Sequence, residues 1–315
     1  MSSPFPLLRL PGVVLCEIFK SLSIGEKIML SFCSKKVSIQ INIARLYSQK
    51  VIVDLDLLYQ RIIVYSENDQ DFFKVSIYPD SGKTFNSNTQ QFSIACRTTG
   101  ITTFWKNDQK GFLFITHHLW KMFPCKMSID SSFYSSDLFQ PTISMLFDLQ
   151  VEFEELNIVL QVLKDHNLFW DQTSSKFGLV EYLRISSIPN PGFKPVFISW
   201  PQKIDIWKSY WFTLEHLLEC TCTRIILRKS HQNEDLNVII ENWKAGGFPN
   251  LEYLYVESHY IRNNGTTILG MYLLELDGKV IQTDDESSRA TFELGYQSNE
   301  MSVTPLQLPL HYILK

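Results

Sequence analysis

The chain has 315 residues, of which 45% are hydrophobic and 20% are charged, and its formal net charge is −4. This composition is typical of a folded globular protein, and the length exceeds what one compact core usually organises, so we expect two or more units. Because binding to nucleic acid requires clustered Lys and Arg, the negative charge and the dispersed basic residues argue against that class of partner.

The first 46 or so residues predict three short helices. Pro11 suits a first helical turn, and the apolar residues from Val14 to Leu22 recur at helical spacing. Ser23-Ile24-Gly25-Glu26 has the S-x-x-E form of a capping box, which predicts that a second helix begins there. A third helix is expected from about Lys35. These helices carry more apolar residues than they can bury among themselves, so we expect another protein to cover part of their surface.

The Leu10-Pro11 pair, the Ile18-Phe19 pair seven residues after the proline, and the run Leu30-Ser31-Phe32-Cys33-Ser34-Lys35-Lys36 together resemble the F-box, in the variety abundant in nematodes. The resemblance covers residues 5 to about 46, and Val37 stands near where the best-known F-boxes have a Trp. It implies binding to the small SKP-family adaptor and, through it, to a cullin and a RING-type ubiquitin ligase. The implied adaptor-binding residues are Leu7, Leu10, Pro11, Val14, Leu15, Ile18, Phe19 and Leu22.

The same eight side chains could serve either of two purposes. A helix-in-groove surface uses Leu, Ile and Phe as anchors, but some of these residues must face the internal core of the three helices. The sequence does not separate the two sets.

Residues 48–108 predict a small β-rich region. Apolar and polar residues alternate from Val51 to Leu57, as in a half-buried strand, and the later segments are β-branched and aromatic. A polar segment between the second and third strands predicts a hairpin. The expected strands are residues 51–57, 61–65, 72–78, 92–96 and 102–105.

Residues 109–262 predict an irregular leucine-rich-repeat-like α/β array. Six segments contain two aliphatic residues separated by one residue, and successive segments lie about 21 to 29 residues apart. Each repeat would add one parallel strand and one covering helix to a shared core. The Asn expected three positions after each pair is absent, so an irregular α/β domain with ordinary βα alternation is the alternative. The pairs are Met127/Ile129, Leu156/Ile158, Leu183/Ile185, Ile204/Ile206, Ile225/Leu227 and Leu254/Val256.

The clearest helix of the array is expected to begin at Asn233-Glu234-Asp235-Leu236 and to end at Gly246-Gly247. With the Trp-Lys-Ala-Gly-Gly-Phe-Pro-Asn-Leu-Glu run that ends at Glu252, residues 180–258 resemble the type 2 F-box-associated domain of nematode proteins. This resemblance implies a module that recruits a target protein. By strand alternation, we expect six side chains to contact the target, although each could equally face the covering helices. They are Tyr182, Arg184, Arg224, Arg228, Tyr253 and Tyr255.

The last segment, residues 263–315, predicts a β-hairpin that caps the array, with strands at 278–283 and 290–296. The predicted fold class is therefore α/β: an F-box helical domain, a β-rich region, a repeat-like array and a hairpin cap. The predicted boundaries are 1–47, 48–108, 109–262 and 263–315.

The patterns that could support catalysis are weak. His117-His118 has no third ligand at suitable spacing, and adjacent helical residues point about 100° apart, so the pair cannot chelate a metal as an i, i+4 pair does. Cys220-Thr221-Cys222 is better explained by two buried thiols. There is no P-loop, G-x-G-x-x-G or G-x-S-x-G motif, so we predict neither catalysis nor a cofactor.

The six cysteines show no disulfide framework, and no secretory signal or run of about eighteen apolar residues is evident. We therefore expect a protein of the cytoplasm, the nucleus or both, with no membrane partner. The predicted function is the substrate-recruiting subunit of an SCF-type ubiquitin ligase. The alternative is a repeat-containing interaction scaffold that acts independently of ubiquitin.

Overall fold

The computed structural model divides into two compact units, Met1–Glu154 and Glu155–Lys315. The boundary between the two units falls inside the predicted repeat array. The division of the chain into four regions stays a prediction. The residues that the structure describes are 7–44, 51–66, 72–80, 92–97, 100–123, 125–130, 137–160, 163, 166–186, 193, 195–229, 236–258, 267–295 and 297–306.

The first unit begins with the three predicted helices, preceded by a 3₁₀ turn at Leu7–Arg9. The helices are α1 (Gly12–Ser21), α2 (Ile24–Cys33) and α3 (Lys35–Ala44). The capping box is confirmed: Ser23 Oγ accepts from the Glu26 amide at 3.2 Å, and Glu26 Oε2 accepts from the Ser23 amide at 2.8 Å. Each side chain thus satisfies a backbone donor that the helix itself leaves unpaired.

The β-rich region of the first unit forms the five strands expected from its alternating sequence, and a sixth strand follows a helix. The strands are β1 (Val51–Asp56), β2 (Arg61–Ser66), β3 (Phe72–Pro79), β4 (Phe92–Arg97), β5 (Gly100–Trp105) and β6 (Cys125–Asp130). Their spatial order is β6-β1-β2-β3-β5-β4, with parallel pairing in β6/β1 and β3/β5 and antiparallel pairing elsewhere.

Two longer helices complete the first unit, α4 (Asp108–Met122) and α5 (Phe139–Asp148). Asn107 caps α4 by accepting from the Lys110 amide at 2.8 Å. The buried positions of α4 include Phe112, Ile115 and Leu119, which are spaced as one helical stripe that joins the core.

The second unit is built on strands that follow one another in both sequence and space. They are β7 (Phe153–Val159, which begins at the unit boundary), β8 (Val180–Ser186), β9 (Lys203–Trp207), β10 (Arg224–Arg228) and β11 (Tyr253–Glu257). β8 to β11 are parallel neighbours, and β7 lies beside β8. The helices between them are α6 (His166–Thr173), α7 (Leu214–Glu219) and α8 (Leu236–Lys244).

All six aliphatic pairs of the predicted repeat lie on strands β6 to β11, and every one of their twelve side chains is buried. In the second unit, α7 connects β9 to β10 and α8 connects β10 to β11; because crossovers between parallel neighbours are right-handed, these two helices lie on one face of the sheet. The opposite face of β8 to β11 carries polar and aromatic side chains that are mostly half-exposed. The predicted α/β fold class is confirmed: three N-terminal helices precede strands and mixed α/β content.

The tail contains the predicted hairpin and joins it to the sheet of the second unit through one further strand. The tail begins with two short strands, β12 (Thr267–Ile268) and β13 (Met271–Tyr272), which are followed by α9 (Leu273–Leu276). The predicted hairpin corresponds to the next two strands, β14 (Val280–Gln282) and β15 (Ser288–Gly295). A further strand, β16 (Ser298–Pro305), pairs antiparallel with both β15 and β11. It was missed because its sequence is mostly polar.

One part of the second unit gave little sequence signal. The α6 segment and the 3₁₀ turn that follows it (Ser174–Leu179) bury an aromatic cluster of Trp170, Phe177, Phe193, Phe197 and Trp211. The pattern was missed because these rings come from three separate segments, which meet only in the folded chain.

Among the helices that the structure describes, none combines the length and the apolar character needed to cross a bilayer.

Candidate protein-interaction surfaces

Helix α1 separates its apolar residues into two stripes. Leu15 and Phe19, four residues apart, point into the core, where Phe19 retains 1% of its exposure. Pro11, Val14 and Ile18 lie on the adjacent stripe, at spacings of three and four, and are exposed or half-buried. The outer stripe is therefore available to a partner.

The predicted adaptor-binding residues divide accordingly. Pro11 and Val14 are exposed, whereas Leu10, Ile18 and Leu22 are half-buried; the side chain of Leu7 lies outside the described part of the chain. Leu15 and Phe19 belong to the internal core, which was the second role that the sequence left open. A direct contact of these two side chains with an adaptor would require the three helices to open.

Other exposed apolar side chains enlarge this surface beyond the sequence prediction. Val13 is 78% exposed at the start of α1, and Leu8 is exposed in the preceding turn. On α3, Ile39 and Ile43 are each 49% exposed and lie one helical turn apart, while Val37 and Ile41 face the core. The positions of these four residues around the helical wheel of α3 already indicated which of them would be exposed. We call Leu8, Val13, Val14, Ile18, Ile39 and Ile43 the outer helical surface.

Helix α2 is fixed to the rest of the first unit, and on α3 the Asn42 side-chain amide donates to the Lys121 carbonyl of α4. At Gly25 of α2, an added Cβ would lie 2.4 Å from the ring of Phe73 on β3, so only glycine permits this approach. Ser31 Oγ lies 2.9 Å from His118 Nε2, and the His118 ring stacks on Phe32 with centroids 4.9 Å apart. Burial, and secondarily the charge of His117, lowers the pKa of His118 below its ordinary value. His118 thus serves as a contact for α2.

In the second unit, the half-exposed sheet face carries all six predicted target-binding residues. Strand register aligns Tyr182, Lys203, Arg224 and Tyr253 in one row across β8 to β11. The next row contains Arg184, Asp205, Ile226 and Tyr255. The aliphatic partners in the same strands are buried on the other side, so these side chains face away from the core. We call this surface the open face.

Charge pairs and aromatic rings hold the open face in a defined arrangement. Arg184 Nη1 contacts Glu155 Oε1 at 2.9 Å, and its guanidinium lies 4.7 Å from the centre of the Tyr182 ring. Asp205 is 4% exposed; its carboxylate accepts from Arg228 Nε at 3.2 Å and from the Tyr182 hydroxyl at 3.4 Å. A buried carboxylate with two donors orders the side chains above it.

At the start of the strands, Arg224 lies over the ring of Tyr253 at 3.9 Å from its centre. Burial raises the pKa of Tyr253, and the nearby Glu300 carboxylate raises it further, so the phenol stays protonated. Arg224 is exposed and forms no ion pair with any residue in the described ranges. Its guanidinium is therefore ordered by the ring while its hydrogen-bond donors face solvent.

The sequence prediction omitted three members of the open face: Lys203, Asp205 and Trp207. They occupy alternate positions of β9 and align with Arg224, Ile226 and Arg228 of β10. Strand alternation already indicated their orientation. Asp205 was missed because a buried carboxylate is recognised only once its donors, which come from neighbouring strands, are in place.

Both predicted buried thiols are confirmed. Cys220 is 5% exposed and Cys222 is 2% exposed, and Cys222 Sγ donates to the Pro201 carbonyl at 3.0 Å. The side-chain hydrogen bond between Cys222 and Cys220, and secondarily burial, raise the pKa of Cys222, so this thiol stays protonated. Both cysteine side chains pack in the interior of the second unit, while Thr221 between them is exposed.

Two protein-family models match this chain. One describes the F-box domain and matches residues 7–49; the other describes an F-box associated domain and matches residues 193–256. Neither the comparison with curated proteins nor the comparison with solved structures gave a match. The first match covers the outer helical surface, and the second covers most of the open face. Both domains are typical of adaptor proteins without catalytic activity, and an F-box supports a general role as a substrate adaptor of SCF-type ligases.

Proposed function

We propose, on the premise that this chain is an F-box protein with an F-box-associated domain, that it recruits a target protein to an SCF-type cullin–RING ubiquitin ligase. The outer helical surface would bind an SKP-family adaptor and, through it, a cullin. The open face would bind the target. A partner enzyme would transfer ubiquitin, and this chain would itself catalyse no reaction and require no cofactor.

The observation that supports adaptor binding is the exposure of aliphatic side chains on α1 and α3. Val14 is 43% exposed beside half-buried Ile18, and Ile39 and Ile43 are each 49% exposed on α3. Burying such side chains in a partner's groove contributes about 25 cal/mol for each Å² of apolar surface removed from water. α2 is meanwhile held by Phe73 and His118, and Asn42 of α3 donates to the Lys121 carbonyl of α4, which would present this surface in a fixed orientation.

The proposed mechanism is an increase in effective concentration. A chain that holds adaptor and target together converts their encounter from a bimolecular event to a local one. The structure supports separate surfaces for the two partners, because the outer helical surface lies in the first unit and the open face lies in the second. We further propose that the protein acts in the cytoplasm, the nucleus or both, where the buried thiols of Cys220 and Cys222 would stay reduced.

Co-purification tests the proposal. Tagged full-length chain is expected to recover the adaptor and cullin, and both Val14→Asp and Ile18→Asp are expected to abolish this recovery by placing a charge in an apolar contact. Val280→Asp provides a matched control because Val280 is 59% exposed on β14 of the second unit.

Circular dichroism and thermal unfolding would verify that the variants remain folded. Undiminished recovery with both α1 variants would contradict the assigned surface. Failure of the unmodified chain to recover adaptor or cullin, with other partners present, would contradict the ligase role and favour the ubiquitin-independent scaffold.

A further inference from the structure

One edge of the open face combines positive charge with an exposed indole. β9 and β10 end at Trp207 and Arg228, which are register partners, and each is followed directly by a lysine, Lys208 or Lys229. Both lysines are exposed, and Trp207 is 48% exposed. We call Trp207, Lys208, Arg228 and Lys229 the edge cluster.

The two lysines occupy equivalent positions in successive repeats. In both Ile206-Trp207-Lys208 and Leu227-Arg228-Lys229, a buried aliphatic residue is followed by a large side chain on the open face and then by a lysine. The backbone has a positive φ at both lysines, 57° at Lys208 and 52° at Lys229, which turns the chain away from the sheet at the same level. The repeat therefore brings two lysines to one edge.

Of the three cations in the edge cluster, Arg228 alone forms an ion pair among the residues that the structure describes. Arg228 is paired with buried Asp205 and also feels the charge of Glu257 on the next strand. Lys208 and Lys229 form no ion pair with any residue that the structure describes. In the described part of the chain, two lysines without an ion-pair partner thus follow the exposed Trp207 and its register partner Arg228, on a chain whose net charge is −4.

The aromatic side chains at this edge are already ordered. The Arg228 guanidinium lies 5.1 Å from the centre of the Trp207 ring and 5.7 Å from that of Tyr255, while its Nε is held by Asp205. A ligand that packs on Trp207 would therefore meet a surface whose side-chain entropy is already reduced. Trp and Arg in such positions are the side chains that most often dominate binding energy.

We propose that the edge cluster binds an acidic segment of the target protein, with Asp or Glu carboxylates placed against Lys208 and Lys229 and an apolar side chain on Trp207. This proposal rests on the proposed function, because it gives the chemical class of the target that the open face recruits. Charge complementarity supports the choice of an acidic ligand. Carboxylates fit better than phosphate because phosphate recognition favours bidentate contacts from unpaired Arg, whereas the unpaired cations here are lysines and Arg228 is engaged.

The test uses the full chain in complex with its adaptor and two immobilised random peptide libraries, one unmodified and one with a central phosphoserine. The unmodified protein is expected to enrich Asp and Glu among the bound peptides. The best enriched peptide, synthesised with a fluorescent label, is expected to bind about tenfold more weakly to Lys208→Glu/Lys229→Glu, and binding should weaken with added salt. Trp207→Ala is expected to lower affinity by a similar factor without changing the salt dependence.

Lys106→Glu/Lys110→Glu is the matched control, since both lysines are exposed in the first unit and the change in net charge is the same. Its affinity for the labelled peptide should equal that of the unmodified protein. Lys208→Gln/Lys229→Gln, which removes charge without reversing it, should give an intermediate loss.

Absence of Asp and Glu enrichment, or equal loss in the control variant, would overturn the proposal. Stronger enrichment from the phosphoserine library would overturn the choice of carboxylate. Recovery of adaptor and cullin is measured on the same samples and should be unchanged by Lys208→Glu/Lys229→Glu. A failure of peptide selection with intact recovery would therefore refute only the edge cluster, whereas lost recovery in the unmodified protein would refute the proposed function.

Discussion

The outer helical surface and the open face expose side chains of opposite character. On the helices, Val14, Ile39 and Ile43 are aliphatic and present no polar group to a partner. On the open face, the arginines are paired with carboxylates or rings, as Arg184 is with Glu155 and Tyr182. Aliphatic contacts are non-directional and favour a stable complex, whereas ordered polar groups discriminate among ligands.

This difference matches the two roles that we propose. A common adaptor requires affinity from a surface of fixed shape, and the anchoring of α2 through Gly25 and His118 supplies that shape. A selective target surface requires polar groups that penalise the wrong partner. The following variants would break or sharpen this comparison.

The largest effect is expected from Trp170→Ala, which removes the centre of the aromatic cluster behind the array. Trp170 is 1% exposed, and the centroid of its ring lies 4.9 Å from that of Phe197. Its Nε1 donates to the Val196 carbonyl at 2.9 Å. We expect the free energy of unfolding to fall by about 3–5 kcal/mol, as for other buried aromatic truncations. Denaturant unfolding followed by circular dichroism would measure it.

Adaptor recovery should survive Trp170→Ala, because the cluster lies in the second unit. Trp170→Phe, which keeps a ring but loses the hydrogen bond to Val196, should cost less. If Trp170→Ala lost both adaptor binding and stability, the two surfaces would not be independent.

A smaller effect is expected from Asp205→Asn, which keeps the shape of the side chain and removes its charge. Asp205 accepts from both Arg228 and Tyr182, so the variant weakens one charge-assisted bond and leaves a guanidinium less compensated. The expected loss is about 1–3 kcal/mol of unfolding free energy. Selection of acidic peptides should also change, because Arg228 would no longer be held against Trp207.

The control for Asp205→Asn is Glu181→Gln, which removes a more exposed pair with Lys203 and should cost less than 1 kcal/mol. Equal stability of the two variants would contradict the organising role of Asp205. Denaturant midpoints measured at one protein concentration give the comparison.

The smallest effect is a pH dependence in the first unit. Burial lowers the pKa of His118 in the folded chain from its ordinary value of 6.5. At a pH between the folded-state pKa and the unfolded-state pKa, His118 is therefore protonated in the unfolded chain and neutral in the folded chain. The free energy of unfolding should therefore decrease as the pH falls below about 6.5, until the pKa of the folded state is passed. His118→Gln should reduce this dependence while keeping a hydrogen bond to Ser31.

Denaturant midpoints at pH 7.5 and 5.5 would give the slope for each protein. His166→Gln is the control, since His166 lies in the second unit and packs by its edge on Phe193. An identical pH dependence in the unmodified protein and in His118→Gln would contradict the proposed cause.

Local sequence patterns predicted much of this structure. The capping box at Ser23, the strands of the β-rich region and all six aliphatic pairs are read from spacings of a few residues, and each was found on the expected element. The resemblances to the F-box and to the F-box-associated domain, which two family models also match, were found for the same reason, since their motifs are short. Helical and strand periods are properties of the backbone, so they survive without knowledge of distant contacts.

What the sequence alone determined is therefore the kind and order of elements and their apolar positions. The tertiary structure alone decided that Phe19 is internal while Val14 is free, because both lie on the same helix and only the packing of α2 and α3 separates them. It likewise decided that polar β16 joins the array through β11, and that Asp205 is buried beneath donors from β8 and β10. These features depend on residues far apart in the chain, whose proximity no local period encodes.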